Sequence, residues 1–270
     1  MKTIELVPGI RSSRLGFGCA PVAGSVDRAT ALRAMEIARD EGVTHFDVAP
    51  SYGYGEAEPL LGEFLAKSGN DCLVVASKFG IEATRAARVL RPVKSLVRHV
   101  LHLKNGENKT AGPRVGSSLL RPIPITGIGL TQSVEQSLKR LRRDRLDYLF
   151  LHEPREQMVN LDEVLRAVEK LKRDGKVRAF GLSFMRNDIS IHGEYLGEFD
   201  VLQFNAPSPT ELLPIPLQRP SVLFSPFHSR PESTAHREHL ADISRAFPDS
   251  VLLCSMFREA DIRMNAKVCR

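Results

Sequence analysis

Short apolar runs alternate with amphipathic stretches along most of the 270-residue chain. LGFGCA, from Leu15, reads as a strand, and ATALRAMEIARDEG as the helix after it. In that helix Ala31, Leu32, Met35 and Ala38 keep the 3.6-residue period, and Gly42 marks the end. THFDVA is the next strand, and EAEPLLGEFLAKSG is the next helix, ending at Gly69. CLVVASK is a third strand. SVEQSLKRLRR is a helix with Ser133 and Gln136 at the spacing of a capping box. LDYLFLH and VRAFGLS are strands flanking the helix LDEVLRAVEKLKRDG, which ends at Gly175. DISIHGEYLG is a weak helix. DVLQFN, SVLFSP and SVLLCSM are three more strands; STAHREHLADISRAF is a helix between the last two, and READIRMNAKV is a final helix.

This makes eight strands, near Leu15, Phe46, Val75, Leu149, Phe180, Leu202, Leu223 and Leu252. Strands apolar on both faces suit a parallel sheet covered by helices. Eight βα units in about 250 residues have the size of a (β/α)8 barrel. The expected fold is therefore an α/β TIM barrel, a single domain over residues 1–270. An open doubly wound sheet is the alternative, but LGFGCAPVAG matches its Gly-rich phosphate loop poorly. TIELVPGIRSSRLGFG holds two short apolar runs around Pro8 and Gly9, an expected N-terminal hairpin under the barrel. A long insertion, 82–130, follows the third strand. In the sixth unit PSPTELLPIPLQRPS carries five prolines where a helix is due, which leaves little room for one.

Composition narrows the class. A chain 42% hydrophobic and 26% charged can bury a sizeable core, so extensive disorder is excluded. No apolar run is long enough for a membrane-spanning helix, and MKTIELVPGI lacks the pattern of a secretion signal. Cys19, Cys72, Cys254 and Cys269 show no CxxC spacing, so neither a disulfide framework nor structural zinc is expected; a cytoplasmic location is. The net charge of +6 is uneven: residues 82–130 hold nine Lys/Arg against two acids, leaving the rest of the chain at −1. Within that segment RAARVLRPVKSLVRHVLHLK is amphipathic. It reads first as a lid over the barrel mouth, because it follows the strand bearing Lys78. A solvated loop is the second reading. Nucleic acid or an anionic membrane is the least favoured partner, since no aromatic residue is available for stacking.

Chemistry in such a barrel collects where the strands end. The second strand ends at Asp47, with Tyr52 five residues on; the third ends at Lys78 and the fourth at His152. Ser183, Gln203 and Ser225 end later strands. A charge at a strand end often only begins a solvated loop, and Tyr54 competes with Tyr52 for the role of exposed phenol. Together the four have a coherent chemistry. A nearby ammonium favours tyrosinate, a carboxylate keeps a buried lysine charged, and a histidine can orient a carbonyl.

DVAPSYGYGEAEPLLG, VVASKFG, SVEQSLKRLRRDRLDYLFLHEP and GKVRAFGLS, in this order, resemble successive signatures of the aldo-keto reductase superfamily. The resemblance implies a barrel that binds NADPH across its C-terminal face, with NADH less favoured. It implies Asp47, Tyr52, Lys78 and His152 as the catalytic tetrad. Tyr52 would be the general acid, Lys78 with Asp47 would lower its pKa, and His152 would orient the carbonyl of a small-molecule aldehyde, ketone or sugar. The His-Glu-Pro after the fourth strand is similar to branches that include sugar dehydrogenases. Ser183 and Gln203 match positions that hold the nicotinamide amide, but Phe184 stands where Asn is usual, and Ala206 and prolines stand where a stacking aromatic is usual. Ser225 and Phe227 match a pyrophosphate stretch. Asn265 matches a position near adenine and Met264 replaces a Glu. Arg258, at the first turn of the last helix, is placed near a 2′-phosphate, where a helix terminus favours anions; otherwise it is a solvated surface arginine. The C-terminal substrate loop of many members is not expected. These departures sustain a second reading, a cofactor-binding barrel with little catalysis that serves as sensor or partner subunit.

Two weaker patterns complete the chain. His99 and His102, and His236 and His239, have i, i+3 spacing without a third ligand, so no metal is expected. Cys19 has apolar and glycine neighbours and reads as packing.

Overall fold

The structure is a computed structural model and describes residues 1–69, 72–84, 120–156, 158 and 160–270. β1 (Thr3–Val7) and β2 (Ile10–Ser13) pair antiparallel around Pro8 and Gly9. Ile10 at the hairpin's turn reaches the apolar cluster inside the barrel, so the hairpin plugs one end. The barrel then starts with β3 (Leu15–Gly18), β4 (His45–Asp47) and β5 (Val74–Phe79). β6 (Ile81–Ala83) and β7 (Leu120–Pro122) form a separate antiparallel pair beside it. β8 (Leu146–His152), β9 (Val177–Phe184), β10 (Val201–Asn205), β11 (Val222–Phe224) and β12 (Val251–Cys254) complete it. Every barrel pairing is parallel, and β12 closes against β3.

Side chains alternate inward and outward along each strand. Val74 and Ala76 of β5, Tyr148 and Phe150 of β8, Ala179 of β9 and Val201 of β10 fill the barrel interior. Val75, Leu149, Phe180 and Leu202 join the larger cluster between strands and helices. The alternation has a consequence for the site: Lys78, His152 and Gln203 come two residues beyond the last inward apolar residue of their strands, and Ser183 follows Ala179 and Gly181 in the same parity, so all four line the cavity at one end.

The outer layer contains α1 (Arg28–Asp40), α2 (Ala57–Ser68), α3 (Gly127–Leu141), α4 (Leu161–Arg173), α5 (Ile189–His192), α6 (His236–Ala246) and α7 (Glu259–Val268). α2 and α3 meet closely at Gly62: a Cβ there would lie 2.2 Å from the Arg140 carbonyl oxygen. Beneath that contact Glu58 is fully buried, accepting from Ser77 Oγ at 2.7 Å and from Arg140 Nη1 at 2.6 Å.

The expected capping box at Ser133 and Gln136 is not the start of α3. The apolar stripe of Val134, Leu138 and Leu141 runs back to buried Leu130, and Thr126 caps the helix by accepting from the Gly129 N–H at 3.1 Å. Ser133 sits inside the helix, and Gln136 accepts instead from Arg140 at 2.8 Å. The helix thus begins within the 82–130 insertion. The lid reading falls on residues 85–104, outside the described residues. The weak helix after β9 resolves into short turns around α5, and the proline-rich sixth connection forms one 3-10 turn, Ile215–Leu217.

Candidate active site

One cavity of about 400 Å3 opens at the C-terminal mouth. Its walls include Asp47, Tyr52, Lys78, His152, Ser183, Gln203, Ser225 and Phe227. Asp47 is engaged on both oxygens: Lys78 Nζ pairs with Oδ1, and Gln203 Nε2 donates to Oδ2 at 2.7 Å. The side chains of Lys78 and Asp47 are 3% and 2% exposed, so each charge depends on the other in a place where water helps little. Lys78 Nζ lies 5.4 Å from the centre of the Tyr52 ring. The Tyr52 and His152 rings meet edge to face with centres 5.8 Å apart.

Tyr52 owes its place to a tight turn between β4 and α2. Its N–H donates to the Ala49 carbonyl at 3.1 Å. The next residue, Gly53, has φ +55, and a Cβ there would stand 2.4 Å from the Val22 carbonyl oxygen. Only glycine lets the turn lie this close to the loop after β3.

Burial and the Lys78 charge push His152 down to about 3, so its ring is neutral at ordinary pH. Burial, then Asp47 and Glu153, raise the Tyr52 phenol well above its usual value. The expected lowering by Lys78 is therefore not the state of this site. The ammonium is bound to Asp47 and stands over the ring, and its attraction for tyrosinate is outweighed by the burial that penalises the charged form. Cys19 is buried and its thiol is raised by burial, which fits a packing role.

Two of the expected cofactor residues stand apart from the cavity wall. Arg258 precedes α7 with an 84% exposed side chain and binds Asp261 in two hydrogen bonds of 2.6 and 3.0 Å. An acid one turn into the same helix captures it. Asn265 is buried, with Nδ2 3.6 Å from Met256 Sδ and no hydrogen-bond partner for Oδ1 among the described residues. Phe184 follows Ser183 with the opposite parity. It packs among His192 and Phe204, away from the mouth. Ala206 is buried and donates its N–H to the Phe224 carbonyl at 2.8 Å.

Sequence reasoning passed over Glu153, Phe224, His228 and Ser255, which also line the cavity. Glu153 follows immediately on β8, where a charge reads as the first residue of a loop; its place beside His152 was the available signal. No group of three or more His, Cys, Asp or Glu among the described residues is placed to hold a metal, and no described helix is long and apolar enough to cross a membrane. His239 Nε2 donates to the Pro226 carbonyl at 2.9 Å, and its ring lies by Phe227. His99 and His102 lie outside the described residues.

Residues 14–191 match the model of the aldo/keto reductase family. The chain belongs to this family. As an aldo/keto reductase it is 31% identical over 225 residues to a D-threo-aldose 1-dehydrogenase of a Pseudomonas species, covering 76% of this chain and 62% of that one. It is 28% identical over 214 residues to an NADH-specific methylglyoxal reductase of Escherichia coli, covering 75% and 58%. The chain thus spans about three fifths of the length of these curated relatives. Among solved structures, an aldo-keto reductase from Pseudomonas aeruginosa superimposes with a TM-score of 0.70 at 20% identity, covering 99% and 96%. One from Klebsiella pneumoniae, in complex with NADPH, gives 0.65 at 19%, covering 99% and 89%. At these identities the structures speak for the fold, and they agree with the closed eight-stranded barrel.

Proposed function

We propose that this aldo/keto reductase is an NADPH-dependent oxidoreductase that converts the carbonyl of an aldehyde, ketone or sugar to an alcohol. The observation that carries the reading is the convergence of Tyr52, His152 and the buried Asp47–Lys78 pair on one cavity. The cavity also suits the nicotinamide end of such a cofactor: Ser183 offers a hydroxyl, Gln203 keeps its amide oxygen uncommitted to Asp47, and Phe224 and Phe227 supply apolar walls. When bound, the cofactor supplies the hydride.

The residues then divide the work. Neutral His152 hydrogen-bonds the carbonyl oxygen and fixes its direction. Tyr52 gives that oxygen its phenolic proton. An alkoxide is a stronger base than phenolate, so the transfer runs downhill even from a phenol of raised pKa. Lys78 stabilises the tyrosinate left behind, and Asp47, held by Gln203, keeps Lys78 in place. Arg258 would hold the 2′-phosphate in exchange for Asp261; an exposed pair of this kind is worth only about 0–1 kcal/mol, so the exchange costs little.

The test is the loss of NADPH absorbance with a panel of aldehydes, ketones and aldoses, repeated with NADH. Turnover with a higher kcat/KM for NADPH is expected. Cofactor binding without turnover of any carbonyl would overturn the assignment.

A further inference from the structure

A second cavity of about 470 Å3 adjoins the first. His152 and Glu153 line both, so they form the partition between them. The second cavity is walled by Pro122, Ile123, Ile125 and Met158, with Arg155, Glu156 and Asn160 at its polar side. A carbonyl compound held at Tyr52 and His152 would thus have Glu153, next to His152 on the partition, within its surroundings.

Glu153 is built into that position. Its φ is +46, a left-handed conformation that non-glycine residues rarely adopt. Its N–H donates to the Ser183 carbonyl at 2.8 Å, which ties the turn to the end of β9. Its carboxylate has no hydrogen-bond or ion-pair partner among the described residues. Of the two carboxylates on the reactive cavity, Asp47 is committed on both oxygens, which leaves Glu153 as the one with free acceptors. The residue as a whole is exposed, yet desolvation at the mouth raises its carboxyl pKa, with the Lys78 charge opposing. The Lys78 ammonium is paired with Asp47 and His152 is uncharged, so the reacting end offers a substrate anion no unpaired cation. The second cavity holds Arg155 against Glu153 and Glu156.

Resting on the carbonyl-reductase reading above, we propose that Glu153 is a specificity-determining residue that selects hydroxylated, uncharged carbonyl compounds. Its carboxylate accepts a hydrogen bond from a substrate hydroxyl near the carbonyl and repels a substrate carboxylate in the same place. A hydrogen bond to a charged acceptor distinguishes hydroxylated from plain substrates more sharply than a neutral one does.

The experiment compares glyceraldehyde, propionaldehyde and glyoxylate with NADPH in the full chain and in Glu153→Ala and Glu153→Gln. In the unmutated chain kcat/KM should favour glyceraldehyde over propionaldehyde by about tenfold or more, the size of one charge-assisted hydrogen bond. In Glu153→Ala the ratio should fall towards one. Glu153→Gln should keep an intermediate preference, since its amide oxygen still accepts but without the charge. In both variants glyoxylate should gain on propionaldehyde by about fivefold or more as the repelling charge is lost. Should Ala fail to fold, isosteric Gln still carries the glyoxylate arm. An unchanged ratio in the variants, or an equal loss for all three substrates, overturns the assignment of Glu153 alone. Turnover of none of them by the unmutated chain instead removes the reductase reading, and this one with it.

Discussion

Asp47 has two carboxylate oxygens and two partners, Lys78 and Gln203, from two other strands. The site is therefore cross-braced between β4, β5 and β10 before any ligand arrives. Tyr52 and His152 stand beside this brace in single protonation states over a wide pH range. His152 titrates at about 3, below its usual value, so it is neutral from roughly pH 5 upward, and Tyr52 is raised, so it keeps its proton to above about pH 10. The expected result is a kcat/KM profile for propionaldehyde that is flat from about pH 5 to 9, measured with NADPH saturating. A limb with an apparent pKa between about 6 and 9 would contradict these assignments. The four rim residues were legible in sequence because each sits at or just past a strand end, where parity turns side chains inward. The direction of the Tyr52 shift was not. It depends on how deeply the ring is enclosed and where the Lys78 charge is spent, and neither is written in spacing. Arg258 shows a similar limit: its helix-terminal position was readable, but its pairing with Asp261, a choice between an acid one turn away and solvent, was not.

Among the elements, the barrel strands came through as continuous apolar runs because both faces are buried, and the helices through their apolar stripes. Boundaries were harder. Thr126 outcompetes Ser133 as the cap of α3 because Leu130 already needs burial, a tertiary demand that the local capping pattern does not record. The sixth connection was readable as non-helical, since its prolines remove the donors a helix needs. The crossing of α2 and α3 was not anticipated, although Gly62 lay in plain view in a helical stripe. Gly62→Ala forces its Cβ against the Arg140 backbone carbonyl, and the helices must separate. The expected cost is about 1–3 kcal/mol, read as a lower urea midpoint. Gly193→Ala, where an added Cβ meets nothing within 4 Å, is the matched control and should stay within about 0.5 kcal/mol. Equal midpoints for the two variants would show that the α2–α3 contact yields freely.

For the molecule as a whole, the net charge of +6 resolves into a near-neutral barrel and one basic insertion. That insertion leaves from β6 and returns through β7, directly after the strand carrying Lys78, with only its flanks among the described residues. The barrel and the family agree with one another, and the strand alternation that fills the interior also delivers Lys78, His152, Ser183 and Gln203 to its mouth. The central claim is that Tyr52 gives the proton. Its most direct test is Tyr52→Phe under single-turnover conditions, with hydride transfer followed as loss of NADPH absorbance and cofactor binding followed separately by fluorescence. The account predicts a rate about 100-fold or more below the unmutated chain while NADPH still binds, the scale on which a positioned general acid contributes. A rate within a few-fold of the unmutated chain would contradict it.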